Sequence, residues 1–299
     1  MNFLRRILPP SVKKILRAIL IFLKKSGALL TRSILGLCRF IFSPKIFLAI
    51  YQHIAKHADL SFTISDIVFD GSEARPLQRA KTILTKEPDT IHWIDNHFSV
   101  DDVFYDIGAN IGVFSLYAAK KKSAQVFAFE PMCTNYDLLN KNIFLNNLSR
   151  KILAFNIAFD NQNRFSTLHL SAFLAGKSGH GFAPDDDFES VFEQGMYGMT
   201  LDSFIFDYDQ PFPRHIKIDV DGNEPRIISG MRKTLTDTRL RSIAVELMPE
   251  ERPEDAHVID KITNAGFEFL SDQAYVNQHA IAHGTVRNHF FIRKDKDHA

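Results

Sequence analysis

An α/β fold built on a mostly parallel sheet, with a basic amphipathic helical extension in front of it, is predicted by three features of this sequence. From Val100 onward, apolar runs of strand length alternate with helical stretches, the pattern of successive βαβ units. A glycine-bearing turn follows the first of those strands, and an acid follows the second. The charge is also split: residues 1–57 hold eleven Lys and Arg and no Asp or Glu, while the remainder sets 25 basic residues against all 35 acids. The 299 residues are 45% hydrophobic and 24% charged with a net charge of +1, an ordinary globular balance that excludes a disordered or multi-spanning chain. The organisation expected is an extension over 1–57, a lead-in of small elements over 58–93 and one catalytic α/β domain over 94–299.

In the extension, Val12, Ile15, Leu16, Ile19, Leu20, Phe22 and Leu23 recur at helical spacing, and Lys13, Lys14, Arg17, Lys24 and Lys25 gather on the other arc. Charges interrupt every apolar stretch before a membrane-spanning length of roughly eighteen residues accumulates. A helix of this kind suits an anionic membrane surface, touched through residues 12–25. Three other uses stay open: packing on the domain, packing on a second subunit, or removal as a transit peptide. Nucleic acid is not expected as a partner, because the cations are interleaved with aliphatic rather than stacking aromatic residues. Cys38 and Cys133 offer no disulfide framework and no metal-ligand spacing, so a reducing, cytoplasmic location, peripheral at the membrane, is expected and no metal site.

Strands are expected at Val103–Ile107, Gln125–Phe129, Ile152–Asn156, His215–Ile218, Ser242–Leu247, Glu268–Leu270 and Asn288–Arg293. Helices fit between them at Val113–Lys122, Cys133–Asn146, Glu224–Leu235 and Pro253–Ala265. Ser171–Gly198, rich in Gly and Asp and holding His180 and Phe182, is long for a connection. It reads either as a substrate lid, with His180 contacting substrate, or as a variable surface loop.

Open sheets of this class bind ligands at the carboxyl ends of their strands. After the first strand comes Asp106-Ile107-Gly108-Ala109-Asn110-Ile111-Gly112, where Gly108 and Gly112 let the backbone turn sharply and approach a ligand. Glu130 ends the second strand, 22 residues beyond Gly108, where an acid can accept hydrogen bonds from ribose hydroxyls. Asp106 is placed to receive an ammonium group. A dinucleotide enzyme would need G-x-G-x-x-G so that pyrophosphate reaches the helix start, and here Asn110 replaces the middle glycine. S-adenosyl-L-methionine carries no phosphate and tolerates a side chain there. Asn156, at the end of the third strand, contacts adenine or pairs with a loop.

Residues 106–112, together with Phe127-Ala128-Phe129-Glu130-Pro131, Thr200-Leu201-Asp202-Ser203-Phe204 and Ile216-Lys217-Ile218-Asp219-Val220-Asp221-Gly222-Asn223-Glu224, resemble the signatures of the FkbM-type methyltransferases, in the family's order. The resemblance covers about residues 94–293. It implies a Rossmann-like seven-stranded, mostly parallel sheet of the class I methyltransferase type, S-adenosyl-L-methionine as methyl donor, and O-methylation of a hydroxyl on a sugar, glycan or related small molecule. Two departures stand out: Asp221 occupies a position where the family commonly has glutamate, and Pro225 follows Glu224, which the first turn of a helix tolerates.

Methyl transfer to a hydroxyl needs positioning and a base. Lys217, Asp219 and Asp221 alternate at the end of a strand and in extended geometry share one face. Asp219 is the expected base or hydroxyl-orienting group, Asp221 its support and Lys217 the group that orients a polar substrate. The alternative is that the two acids fix the turn at Gly222 or cap the following helix. Glu246 faces the same crevice, binding substrate or terminating its strand. Two other functions remain open: a membrane-attached scaffold that keeps the fold without turnover, and an NAD-dependent oxidoreductase.

Overall fold

A computed structural model describes residues 44, 48, 61–71, 81, 87–174, 176, 180–182, 190–249, 252–270 and 287–294. The amphipathic segment 12–25 lies outside these residues. Among the described residues, no helix is long and apolar enough to cross a membrane. The chain divides into two compact units, Met1–Gln78 and Arg79–Ala299.

In the first unit, β1 (Ser61–Ile64) and β2 (Ile67–Asp70) form an antiparallel hairpin. Its two-residue turn is Ser65-Asp66, both at positive φ (49° and 65°), the twist that matches flanking strands. Phe62 and Phe69 face each other across the ladder with stacked rings 5.7 Å apart.

The second unit runs α1 (Pro88–His97), β3 (Val103–Ile107), α2 (Val113–Lys122), β4 (Gln125–Phe129), α3 (Cys133–Leu145), β5 (Ile152–Phe155), β6 (Ala158–Phe159), β7 (Arg164–Leu170), β8 (His180–Gly181), β9 (Phe192–Met199), a π-helical turn (Ser203–Asp207), β10 (His215–Ile218), α4 (Glu224–Ser229), α5 (Arg232–Thr236), β11 (Ser242–Leu247), α6 (Pro253–Asn264), β12 (Phe267–Phe269) and β13 (Arg287–Arg293). Seven strands form one sheet in the order β12-β13-β11-β10-β3-β4-β5, with β13 alone antiparallel to its neighbours. The expected Rossmann-like α/β sheet is therefore present, and its strand order reverses between β3 and β10. The central strands are buried on both faces, which is why they read as near-continuous apolar runs.

One face packs Tyr105, Ile107, Ile216, Ile218 and Val245 against Ile227, Ile228, Val258 and Ile262 of α4 and α6. On the other, Trp93 of α1 is fully buried, and its indole N–H donates to Ser242 Oγ at 3.0 Å. Ser242 also meets His215 Nδ1 at 2.7 Å, and Asp102 meets His215 Nε2 at 3.1 Å. Burial pushes the His215 imidazole below its ordinary pKa in spite of Asp102.

Two expectations need correction. The helix expected over Glu224–Leu235 is two helices, the first capped at Gly230, which lies so close to the backbone of Asp160 that a Cβ there would overlap it. The Asp202 carboxylate instead receives the N–H groups of Lys233 and Thr234 at 2.8 and 2.9 Å, anchoring the second helix. Ser171–Gly198 is neither lid nor loop at its end: β9 pairs with β7 from Arg164↔Gly198 to Leu170↔Phe192, within a second sheet ordered β6-β9-β7-β8. Asp160, fully buried, ties this sheet to α4 by accepting Arg164 Nε at 2.8 Å and Arg226 Nε at 2.7 Å.

Candidate active site

Loops leave β3 and β10 in opposite directions at the carboxyl edge of the sheet, which opens a crevice there. The turn after β3 is strapped across β4 by the N–H groups of Gly108 and Ala109, which donate to the Phe129 carbonyl at 2.9 and 3.0 Å. Gly108 sits at φ +83°, and a Cβ on it would overlap the carbonyl oxygen of Asp219. The turn and the end of β10 thus touch backbone to backbone. Asn110 adopts φ 51°, and the buried Asn142 amide donates to the Ile111 carbonyl at 2.9 Å.

Glu130 closes this turn from β4. It is buried, and its carboxylate accepts the N–H of Asn110 at 2.8 Å and of Met132 at 2.9 Å. Asn156 braces the same end of β4 from behind, its amide donating to the carbonyls of Glu130 and Pro131 at 2.8 Å each. It is not among the described residues that line the cleft.

That cleft measures about 650 Å³, its open mouth included. Asn110, Glu130, Asn135, Asp219, Asp221 and Asn223 form its polar part, and Phe129, Ile157, Ala158, Phe159, Leu168 and Phe182 its apolar wall. The wall comes largely from the second sheet and the link leading into it, which sequence reasoning missed. The described lining carries three carboxylates and no Lys, Arg or His. Such a field favours a ligand with positive charge and a flat apolar part, and it opposes an anionic phosphate.

Below the turn lies a buried polar cluster. Asp106 is 1% exposed: its Oδ2 accepts the Ser115 hydroxyl at 2.5 Å, and its Oδ1 has no hydrogen-bond partner among the described residues. Burial pushes the Asp106 carboxyl above the usual carboxylate range, with Lys217 opposing. Asp106 lies outside the cleft lining and supports the turn from beneath.

Lys217 departs from its expected place. It is 1% exposed, its Nζ 2.6 Å from Asp219 Oδ2 and 4.9 Å from the centre of the Phe114 ring, and it does not line the cleft. Alternation put it on the same face as Asp219, but within the sheet, level with Asp106 and Ala244, and under cover. Burial by itself would lower its pKa; Asp219, Glu87 and Asp106 outweigh that and hold the ammonium above its ordinary range.

Asp219 and Asp221 both line the cleft, by different routes. β10 ends at Ile218, and Asp221 takes φ 58°, so extended alternation does not reach it. Behind this turn stands Glu224, fully buried, accepting the Val220 N–H at 3.2 Å and facing Arg252 Nη1 at 3.4 Å. Burial pushes the Glu224 carboxyl up to about 7. Glu246, one residue before the end of β11 and level with Asp219, is half-buried and is not among the described residues that line the cleft, while Asp219 beside it is; the His180 side chain lies outside the described residues. Among the described residues, no three His, Cys, Asp or Glu side chains cluster as metal ligands do.

The family model of the methyltransferase FkbM domain matches residues 106–269, more than half of the chain. The chain belongs to the FkbM methyltransferase family. All four signature stretches lie inside that span. Among curated proteins similar to this chain, hexuronic acid methyltransferase AglP of Haloferax volcanii is 26% identical over 182 residues, covering 58% of this chain and 66% of that protein. Methyltransferase sdnD of Sordaria araneosa is 29% identical over 117 residues, covering 39% of this chain and 42% of that one. The chain thus spans at most about two thirds of these relatives' lengths. Among solved structures, a precorrin-6y C5,15-methyltransferase of Geobacter metallireducens superposes with a TM-score of 0.40 at 14% identity, over 79% of this chain and 94% of that one.

Proposed function

We propose that this FkbM-family protein is an S-adenosyl-L-methionine-dependent O-methyltransferase acting on a hydroxyl of a sugar, glycan or related metabolite. One observation carries the reading: a glycine turn and three carboxylates, with no cation among the described residues that share the lining, line a half-apolar cleft at the point where strand order reverses. The bound cofactor would supply an electrophilic methyl group on a positively charged sulfur. Glu130, lining the cleft at the end of β4, is placed for the ribose hydroxyls, Asp219 and Asp221 face the positive charge, and Ile157, Ala158 and Phe159 offer the base an apolar wall. Asp106 and Asn156 serve by holding the turn and the end of β4. The hexuronic acid methylated by AglP supports a sugar-class acceptor.

The test is calorimetric titration with S-adenosyl-L-methionine and with NAD. Binding of the former and not the latter is expected, and Glu130→Ala should weaken it by about 10- to 100-fold, the worth of hydrogen bonds to a charged group. Preferential NAD binding would turn the reading to an oxidoreductase. Donor binding without transfer to any sugar or glycan would leave a scaffold.

The basic amphipathic segment 12–25 is proposed to hold the protein on anionic lipid. Co-sedimentation with phosphatidylserine vesicles, lost on deleting residues 1–47, is the expected result; full-length protein left in the supernatant overturns it.

A further inference from the structure

The carboxyl ends of β10 and β11 bring two acids level in opposite surroundings. His215 pairs with Ser242 and Lys217 with Ala244, so Asp219 and Glu246, each two residues on, are level and on one side of the sheet. Asp219 is committed, with the Lys217 ammonium 2.6 Å from its Oδ2. Glu246 is different. It is half-buried, and its carboxylate accepts no hydrogen bond from a described residue. Among the described residues, the charges that act on it are Lys217 of β10, Asp219 just beyond that strand, Asp221 of the turn and Glu87 before α1, three acids against one cation that already has a partner. Opposite it on β13 stands Asn288, whose amide is turned to Glu87 at 3.4 Å and Thr90 at 3.3 Å.

We infer that Glu246 is the proton acceptor for the hydroxyl undergoing methylation, and that Asp219, held by Lys217, orients the same hydroxyl. The inference rests on the methyl-transfer reading above. As the bond from the hydroxyl oxygen to the methyl carbon forms, the carbon–sulfur bond breaks with its electron pair remaining on sulfur, and the hydroxyl proton passes to a Glu246 carboxylate oxygen. A carboxylate neutralised by a close ammonium attracts a proton weakly. One that is desolvated and set among like charges attracts it strongly, and burial, then Asp219 and Glu87, raise Glu246 well above the usual carboxylate range. Two neighbouring acids whose surroundings drive them apart in this way divide the tasks of base and ionised positioner.

The experiment uses the full chain, isotopically labelled methyl donor, and a free hexuronic acid and a neutral methyl hexoside as acceptors. Glu246→Gln keeps size and shape and breaks no hydrogen bond to a described residue. Its kcat should fall by about 100- to 1000-fold, with donor affinity and acceptor KM within about twofold. The wild-type rate should rise with pH through the Glu246 titration and level off, and the variant's profile should lose that rise. In parallel, carbon-13 NMR of glutamate-labelled protein should show, besides Glu224, a second carboxyl titrating above the usual range that is absent from Glu246→Gln. A variant with wild-type kcat and profile, or a Glu246 that titrates in the ordinary range, overturns the inference and leaves methyl transfer standing. Wild-type protein that binds the donor and methylates neither acceptor overturns the sugar-hydroxyl reading, and the inference with it.

Discussion

Lys217→Met should lower the stability of the fold by about 3–5 kcal/mol, because it removes one partner of a buried ion pair and leaves the other charge uncompensated. The Lys217 ammonium is the cation that Asp106, Asp219, Glu246 and Glu87 share, and both Lys217 and Asp106 are 1% exposed. Met matches the length of the aliphatic stem, so packing changes little and the loss is electrostatic. The pH dependence has a definite sign. Lys217 is raised above its unfolded pKa, so its stabilisation is complete at neutral pH and is lost only as strongly alkaline pH passes its folded value. Asp106 is also raised, so the cost of keeping it charged is present at neutral pH and is relieved as pH falls through its folded value. Without Lys217 that cost grows, and the gap between variant and wild type should therefore narrow from pH 7 to pH 5. Urea unfolding at the two pH values measures it. Adding Asp219→Asn to Lys217→Met should recover a large part of the loss, a coupling that a double-mutant cycle reads directly. Equal stability of wild type and Lys217→Met at pH 7 would mean the cluster is not held by this cation.

The strands of the large sheet were legible because burial on both faces makes Val103–Ile107 or Ser242–Leu247 apolar almost throughout. The second sheet was not. In β7, alternation breaks at Thr167, so that Arg164 and Ser166 share a face with Leu168 and Leu170, whose partners, Met132 and Phe182 among them, are distant in the chain, and β9 carries two glycines that weaken any strand signal. The site was half legible for a similar reason. An acid after the second strand was visible at Glu130, but not that two backbone N–H groups already use its carboxylate. Alternation assigned Lys217 to a face without giving its depth, since depth depends on the helices that cover the sheet. Extended geometry was carried two residues too far at Asp221, where the chain has entered a left-handed turn. Glu224, read as part of a signature, is the buried acid behind that turn.

Gly108→Ala should reduce donor affinity by about 100-fold, roughly 2.7 kcal/mol, and lower the melting temperature by about 5–10 °C, as a loss of 2–3 kcal/mol does in a domain of this size. Two costs combine at this position. At φ +83° an alanine pays the left-handed penalty of about 1–2 kcal/mol. Its Cβ would also overlap the Asp219 carbonyl oxygen, so either the turn or the end of β10 must move. Moving the turn pulls the N–H groups of Gly108 and Ala109 from Phe129; moving β10 displaces Asp219, Val220 and Asp221, all of which line the cleft. Gly112→Ala separates the two costs. Gly112 has nearly the same φ, +86°, but a Cβ there meets Leu139 Cδ1, the far end of a side chain that can rotate away. Backbone strain is therefore common to both variants, and the contact with Asp219 belongs to Gly108 alone. Gly112→Ala should lose stability to a similar or smaller extent while keeping donor affinity within about fivefold of wild type, about 1 kcal/mol. Calorimetric titration of both proteins decides it: equal losses of affinity would assign the effect to the twist of the turn and remove the backbone contact between β3 and β10 from any account of how the donor is held.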